Sequence, residues 1–456
     1  MNVKTLCSYL NVENDDNKEI KDIVTSTLDV KDGDLLILVK GQNIDPNLLI
    51  NKTIENKCVA IFSDDINTPY IYVERLKEKV FDILDFFYFN HVHPFKIVGI
   101  TGTEGKSSLT QILQQGLYNE GFKTLIISNE LSNKFAYKVD RTTPDPKTII
   151  NAMLYAKELK VNYLIMEVSS IALSEYRVSK YIFDYLFLTN LEEDHLDYHK
   201  NIYQYHRTKL DLLINNKKAV KFVFDDTYTK YPNLFFKVNK LKVINKKDIS
   251  LKNNSLNKQT FLYKNKKYTS KLIFKQNRFN IVFLIEFLKF IGIHNCFNNV
   301  YSLKRIKGRL DLVNSRPYII VDYAHSIKAL ENILSQVNFF KQNRIISLIG
   351  AGGDRDKSKR SKYGEVLNKY CDYIVLTNDN PRKENPIDIV NQIKGNYEEK
   401  FIVELDREKA IKKVIKEALI SDIVLILGRG NEEYQEFSNS KIYLNDYEVI
   451  KKCLIK

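Results

Sequence analysis

Gly102-Thr103-Glu104-Gly105-Lys106-Ser107 follows an apolar run at 95–100 and precedes a segment, 109–117, of helical periodicity. Residues of these types suit the binding of phosphate. Glycines let backbone N–H groups come close to phosphate oxygens, and the start of a helix adds partial positive charge. Lys106 then has the reach to meet β- and γ-phosphates, and the Ser107 hydroxyl can ligate Mg²⁺. The spacing is shorter than the full G-x4-GK[ST] loop. For this segment alone, a tight turn carrying a solvated lysine is the alternative.

Two more clusters stand where apolar runs stop. Met166-Glu167-Val168-Ser169-Ser170 puts a carboxylate at the end of the run 163–168, and 189–199 gathers Glu192, Glu193, Asp194, His195, Asp197 and His199 behind the run 183–189. Hard oxygen ligands with an occasional histidine suit Mg²⁺ beside phosphates. A single Glu or His in such a place is more often a cap or a surface residue.

Strands must present these clusters. The patterns predict short strands at 35–39 and 59–62, a helix at 80–90, and buried strands at 95–100, 123–128, 163–168 and 183–189 with helices between them. Apolar runs alternating with helices imply a mostly parallel sheet, whose ligands collect at the strand ends. The polar stretch 248–267 reads as a hairpin or loop excursion, and 279–291 as a helix. Beyond Lys307-Gly308-Arg309 a second series begins, with strands at 318–321, 345–349, 373–377 and 423–427, which implies a second doubly wound domain.

Bulk properties narrow the function classes. The chain has 456 residues, 44% apolar and 28% charged, in keeping with about three globular domains. No apolar stretch of the ~18–20 residues needed for a membrane span is visible. Residues 1–16 lack a signal-like apolar core. The five cysteines are scattered without CxxC spacing, which argues against a zinc site or disulfide framework and fits a reducing, cytoplasmic setting. The net charge of +14 admits a nucleic-acid binder, yet 56 of the 70 basic residues are Lys and 14 are Arg. Lysines dispersed over solvated, Asn-rich stretches explain the charge without nucleic acid. The scarcity of Arg makes the position of each one informative.

The chain resembles the Mur ligases, and within them the tripeptide-forming branch that extends the peptidoglycan stem peptide. The resemblance spans nearly the whole chain. It runs through 99–106, Thr142-Thr143-Pro144, 166–173 with Arg177-Val178, 189–199, Lys307-Gly308-Arg309, 321–325, 352–356, Asp379-Asn380-Pro381-Arg382 and 428–435. It implies an α/β fold of three domains. These would be a smaller N-terminal α/β domain for the UDP substrate (1–90), a central P-loop-type ATPase domain (91–308), and a C-terminal Rossmann-like domain for the amino acid (309–456).

What the resemblance implies for single residues follows from the family's reaction: ATP phosphorylates a carboxylate, an amine attacks the acyl phosphate, and phosphate leaves. ATP would be held by Gly102, Thr103, Gly105, Lys106, Ser107 and Ser108, with Arg309, Asp322, Tyr323 and His325 closing over adenine and ribose. Lys106, Glu167, His195 and Lys209 would be catalytic. Ser107, Glu167, His195 and Lys209, the last as a CO2-derived carbamate, would ligate Mg²⁺. From composition alone Lys209 would be one more surface lysine. Ser26, Thr142, Thr143, Ser169, Glu175 and Arg177 would hold UDP-muramoyl-dipeptide between the first two domains. Arg355, Asp379, Asn380, Arg382, Gly428 and Glu432 would hold the incoming diamino acid. The Asp-Asn-Pro-Arg block favours meso-2,6-diaminopimelate, whose second carboxylate suits an arginine fork, over lysine or ornithine. A monomer with no nucleic-acid partner is expected.

Several positions depart from the family pattern: Glu104 replaces an Asn, Ser107-Ser108 a Thr pair, Thr27 an Arg, Ile171 a His, Glu175 a Gln, Phe283 an Asn and Asn431 a His. Other readings remain open at this point. One is another ligase of the superfamily, such as a folylpolyglutamate synthetase. Residues 33–36 and Gly41-Gln42 speak against it. The others are a P-loop kinase or NTPase and a basic nucleic-acid binder.

Overall fold

The computed structural model describes residues 1–39, 50–129, 134–179, 181–397 and 399–455, without the Asp197 side chain. Gly41 and Gln42 lie outside them. The chain forms two compact units, Met1–Thr110 with Glu120–Lys246 and Gln111–Asn119 with Lys247–Lys456.

In the first unit, β1 (Ile23–Val24), β2 (Asp34–Leu38), β3 (Cys58–Ser63) and β4 (Ile71–Tyr72) pair in parallel in that order. A second parallel sheet is built from β5 (Lys96–Thr101), β6 (Thr124–Ser128), β7 (Ala136–Lys138), β8 (Tyr163–Glu167), β9 (Tyr185–Leu188), β10 (Val220–Phe224) and β11 (Leu241–Ile244). Its order is β11-β10-β9-β5-β8-β6-β7. Strands β6 and β8 are buried along their whole length, as continuous apolar runs between two helical layers must be. The helix Leu76–Phe89 packs on the helix Pro146–Glu158. Phe81 and Leu84 of the first and Ile149 and Met153 of the second belong to one core cluster that reaches from Val3 to Val238. Each such fully buried side chain stabilises the unit by about 1.5–3 kcal/mol.

This order places the chemistry. Strand β5 lies between β8 and β9, with Ile100 level with Glu167 and Thr101 level with Leu188. The glycine loop after β5 therefore emerges between the carboxylate that ends β8 and the Thr189-Asn190 pair that follows β9.

The second unit opens with an antiparallel meander, β12 (Ile249–Asn254), β13 (Gln259–Tyr263) and β14 (Lys266–Ser270), where a hairpin or loop was predicted. The helix Lys275–Phe290 follows. The larger sheet holds β15 (Asp311–Ser315), β16 (Tyr318–Asp322), β17 (Ile345–Ile349), β18 (Tyr373–Leu376), β19 (Phe401–Val403) and β20 (Ile423–Leu427) in the order β15-β16-β20-β17-β18-β19. Only the β15–β16 pairing in this sheet is antiparallel. The hairpin β21 (Tyr434–Phe437) and β22 (Ser440–Tyr443) comes last. The C-terminal ends of β16, β17, β18 and β20 and the loops leaving them carry every candidate residue of this unit except Arg309, as expected of an open α/β sheet.

Candidate active site

The glycine loop is held from both sides. Gly102 sits at φ +138° and Gly105 at φ +81°. A Cβ on Gly102 would lie 2.0 Å from Thr189 Oγ1, so no other residue fits against β9. Asn190 Oδ1 accepts from the Glu104 amide at 3.0 Å, and Asn190 Nδ2 donates to the Glu104 carbonyl at 3.1 Å. Thr189 Oγ1 donates to that carbonyl at 2.7 Å, and Thr103 Oγ1 to the Glu192 carbonyl at 3.1 Å. The backbone of Glu104 is thus fixed whatever its side chain does. Its carboxylate and that of Asp194 both raise the pKa of Tyr205, after burial as the larger cause.

Two lysines converge on this loop. Lys106 Nζ donates to the carbonyls of Gly102 (3.1 Å) and Thr103 (2.8 Å). Lys209, on the helix Ile202–Asn215, is 1% exposed and donates to the same Gly102 carbonyl at 2.9 Å. Its ammonium lies 4.6 Å from the Tyr205 ring centre, one helical turn back. Burial, reinforced by repulsion from Lys106, holds its pKa well below the ordinary lysine range, with Asp194 acting in the opposite sense. Lys106 and the start of the helix Lys106–Asn119 make an electropositive cradle suited to phosphate, with the Lys209 amine beside it.

Oxygen donors lie alongside. Ser107 Oγ donates to Glu167 Oε2 at 3.0 Å. Thr143 Oγ1 donates to the Glu167 carbonyl (2.9 Å) and accepts from the Ser169 amide (3.0 Å). Arg177 Nη1 donates to the Thr143 carbonyl at 3.1 Å and pairs with Glu175. Glu175, which stands in place of a family Gln, therefore neutralises the arginine assigned to substrate. His195, in a left-handed backbone conformation, is 47% exposed, with Nε2 3.5 Å from Asp194 Oδ2. Among the described residues no three His, Cys, Asp or Glu side chains converge as a metal set. A hydroxyl and a carboxylate beside a phosphate cradle nevertheless fit Mg²⁺, which keeps several waters and uses one or two carboxylates together with substrate phosphates.

Ser26 is half-buried in the N-terminal part, where its hydroxyl accepts from Leu28 N at 3.3 Å. Nearby, Lys147 at the start of the helix Pro146–Glu158 donates to Asp22 Oδ1 at 2.5 Å and to the Tyr88 hydroxyl at 2.6 Å. Thr142 is half-buried beside Thr143, and Ser108 lies in the first turn of the helix Lys106–Asn119.

The second unit gathers its own group. The Arg309 guanidinium lies 4.7 Å from the Tyr323 ring centre, and Tyr323 donates to Glu432 Oε1 at 2.8 Å. Asn380 Nδ2 donates to Glu432 Oε2 at 2.9 Å. Asp322 accepts from the amides of Leu310 (2.6 Å) and Ala324 (2.7 Å), and His325 Nδ1 lies 3.0 Å from the Tyr323 carbonyl. Gly428, at φ +103°, comes so close to Asp379 that a Cβ would meet Oδ2 at 2.6 Å. Burial raises the pKa of Asp379. Arg382 Nη1 donates to the Gly353 carbonyl at 2.9 Å. Arg355 is exposed on the loop after β17 and flanks Gly352 together with Arg382, a Cβ on that glycine lying 3.6 Å from Arg355 Cγ and 3.1 Å from Arg382 Nη1. Phe283, where the family has an Asn, is wholly buried in the helix Lys275–Phe290.

Three arginines outside the sequence-based set prove to be structural supports. Arg360, Arg407 and Arg429 are at most 1% exposed. Arg360 grips Glu384 with both Nη atoms at 2.9 Å and reaches the Gly352 carbonyl at 3.2 Å, steadying the loop that bears Arg355. Arg407 pairs with Asp446 at 2.7 Å, and Arg429 Nε lies 3.6 Å from Glu432 Oε2. Their signal in the sequence is the scarcity of Arg itself.

The Mur ligase middle domain matches residues 100–304, and the Mur ligase, glutamate ligase domain matches 308–430. A UDP-N-acetylmuramoyl-L-alanyl-D-glutamate–2,6-diaminopimelate ligase of Aquifex aeolicus is 33% identical over 457 residues, covering 96% of this chain and 94% of that protein. The enzyme of the same name from Caldanaerobacter subterraneus is 31% identical, covering 97% and 96%. Among solved structures, a ligase of that name superposes with TM-score 0.69 at 20% identity, covering 100% and 99%. A MurF ligase from Thermotoga maritima in complex with ADP superposes with TM-score 0.61 at 17% identity, covering 96% and 97%. At these identities the two structures speak to the fold.

Proposed function

Because the chain belongs to the Mur ligase family, we propose that it is an ATP-dependent ligase joining meso-2,6-diaminopimelate to UDP-N-acetylmuramoyl-L-alanyl-D-glutamate in peptidoglycan synthesis. The observation that carries this reading is the cradle at the glycine loop. There Lys106 and Lys209 meet at one carbonyl, next to the Ser107–Glu167 pair.

In the proposed reaction the γ-phosphoryl group of ATP passes to the substrate carboxylate, giving an acyl phosphate and ADP. An amine of the diamino acid attacks the acyl carbon, loses a proton, and phosphate leaves with the C–O bonding pair. Lys106 and the loop N–H groups neutralise charge on the transferring phosphoryl group. Ser107 and Glu167 would hold Mg²⁺, with His195 contributing to a second ion. Bound Mg²⁺ supplies charge neutralisation to crowded oxygens. Lys209, as a carbamate, would turn from cation to anionic oxygen ligand. Thr143, Ser169 and Arg177, with Ser26 and Thr142, would orient the muramoyl substrate. Arg309, Asp322, Tyr323 and His325 would hold adenosine, and Asp379, Asn380, Arg382, Gly428, Glu432 and Arg355 the diamino acid. We place the enzyme in the cytoplasm, where five free cysteines persist as thiols. We set the domain boundaries near residues 90 and 308.

The test is phosphate release with UDP-muramoyl-dipeptide, ATP and Mg²⁺ while each amine is offered separately. Release dependent on diaminopimelate is expected. Turnover of lysine or ornithine without diaminopimelate would refute the assigned amine. ADP release that needs no amine would point to a kinase or NTPase.

A further inference from the structure

We infer that Glu436 is a specificity-determining residue. Its carboxylate occupies the Arg382 fork in place of the amino acid's second carboxylate and yields to it on binding. The inference rests on the diaminopimelate reading above and deepens it.

Arg382 is the side chain whose planar fork suits a distal carboxylate, yet it already has one. Its Nε lies 3.2 Å from Glu436 Oε2, and its Nη1 is committed to the Gly353 carbonyl at 2.9 Å. Glu436 lies on β21, directly across from Lys441 on β22, and Lys441 Nζ is 3.2 Å from Glu436 Oε1. One carboxylate is therefore shared by two cations.

The pair is not needed to fix the loop. Arg382 N donates to the Glu436 carbonyl at 3.1 Å, and Glu436 N donates to Asn380 Oδ1 at 2.9 Å. Arg382 also bridges to Phe437 through the backbone. These main-chain links set the position of Arg382 whatever the Glu436 side chain does. The side-chain pair is exchangeable as well. Arg382 is 27% exposed, Glu436 37% and Lys441 68%, so water reaches the contact. A partly exposed ion pair is weak. A carboxylate that lets go of Arg382 keeps Lys441 and is not stranded. The charge balance then selects the ligand. Arg382, Lys441 and Glu436 sum to one positive charge, which an incoming carboxylate cancels and the side-chain ammonium of lysine opposes.

Glu436→Gln removes the competing charge while keeping the shape. The KM for meso-diaminopimelate should fall about 2- to 5-fold, the effect of losing a partly exposed competing ion pair. This fall should exceed any change in kcat, and the KM for ATP should stay within about 2-fold. The preference for diaminopimelate over lysine should widen. Glu436→Ala should act in the same direction, which guards against an artefact of the amide. An unchanged or higher KM for diaminopimelate in both variants, with a wild-type enzyme that uses it, would overturn the role of Glu436 alone. A wild-type enzyme that uses lysine and not diaminopimelate would overturn both proposals.

Discussion

A lysine amine adds to carbon dioxide only when unprotonated, and an ordinary lysine is protonated at neutral pH. Burial and Lys106 move Lys209 towards that condition by lowering its pKa, and its contact with the Gly102 carbonyl leaves it in reach of the phosphate cradle. Lys209→Ala should lower turnover by about 10²- to 10³-fold, the scale for losing one charge-stabilising group. A short-chain carboxylic acid added to the variant should restore part of that loss, because it returns an oxygen ligand to the space. Steady-state phosphate release measures both, and a fully active variant sinks the carbamate. Composition alone hid this residue among 56 lysines, and only the resemblance singled it out. Lys221 teaches the same lesson. It is fully buried, with Nζ 2.8 Å from Asn239 Oδ1, and burial brings its pKa down to about 8. Lys221, the second residue of Val220–Phe224, breaks the apolar run that would mark β10 as a buried strand.

At the scale of elements, strands written as unbroken apolar runs were legible: β5, β8, β16, β17 and β20 fall where the pattern puts them. The Lys- and Asn-rich stretch was not. Its β13 buries Gln259, Phe261 and Tyr263 on one face and leaves the alternate residues partly open, so polar residues dilute the period-two signal. The loop after β17 shows how an element is held by a residue that no motif marks. Arg360 keeps the Glu384 carboxyl at about 2, below its ordinary value of 4.5. A lowered carboxyl pKa contributes stability that is present above pH 4.5 and is lost as pH falls towards 2. Arg360→Met should therefore cost about 1–3 kcal/mol at pH 7, because Glu384 loses its two-pronged partner and keeps Lys357 and the Asp354 amide. It should also flatten the loss of stability between pH 4.5 and 2. Urea melts at several pH values decide this. A variant that loses stability with acid as steeply as wild type would show that the Arg360–Glu384 pair is not the source of the acid sensitivity.

For the whole molecule, core clusters lie in each unit, and the helix Lys106–Asn119 is divided between the units after Thr110. One cluster spans Val3 to Val238, and others lie wholly beyond residue 255. Chains with more than one core depart from two-state unfolding, so calorimetry should resolve two transitions. The glycine loop belongs to the first unit alone. ADP with Mg²⁺ at 100 times its Kd adds about 2.7 kcal/mol, which should move that unit's transition by about 5–10 °C. Gly102→Ala should abolish the shift, because its Cβ would strike Thr189 Oγ1 at a φ of +138°. It should also lower the unliganded transition by about 1–3 kcal/mol. Gly121→Ala separates strain from function. Gly121 also has a positive φ, +86°, but nothing lies within 4 Å of its Cβ position. That variant should lose some stability yet keep the nucleotide shift. A full shift in Gly102→Ala, or none in the wild type, would remove the glycine loop from nucleotide binding.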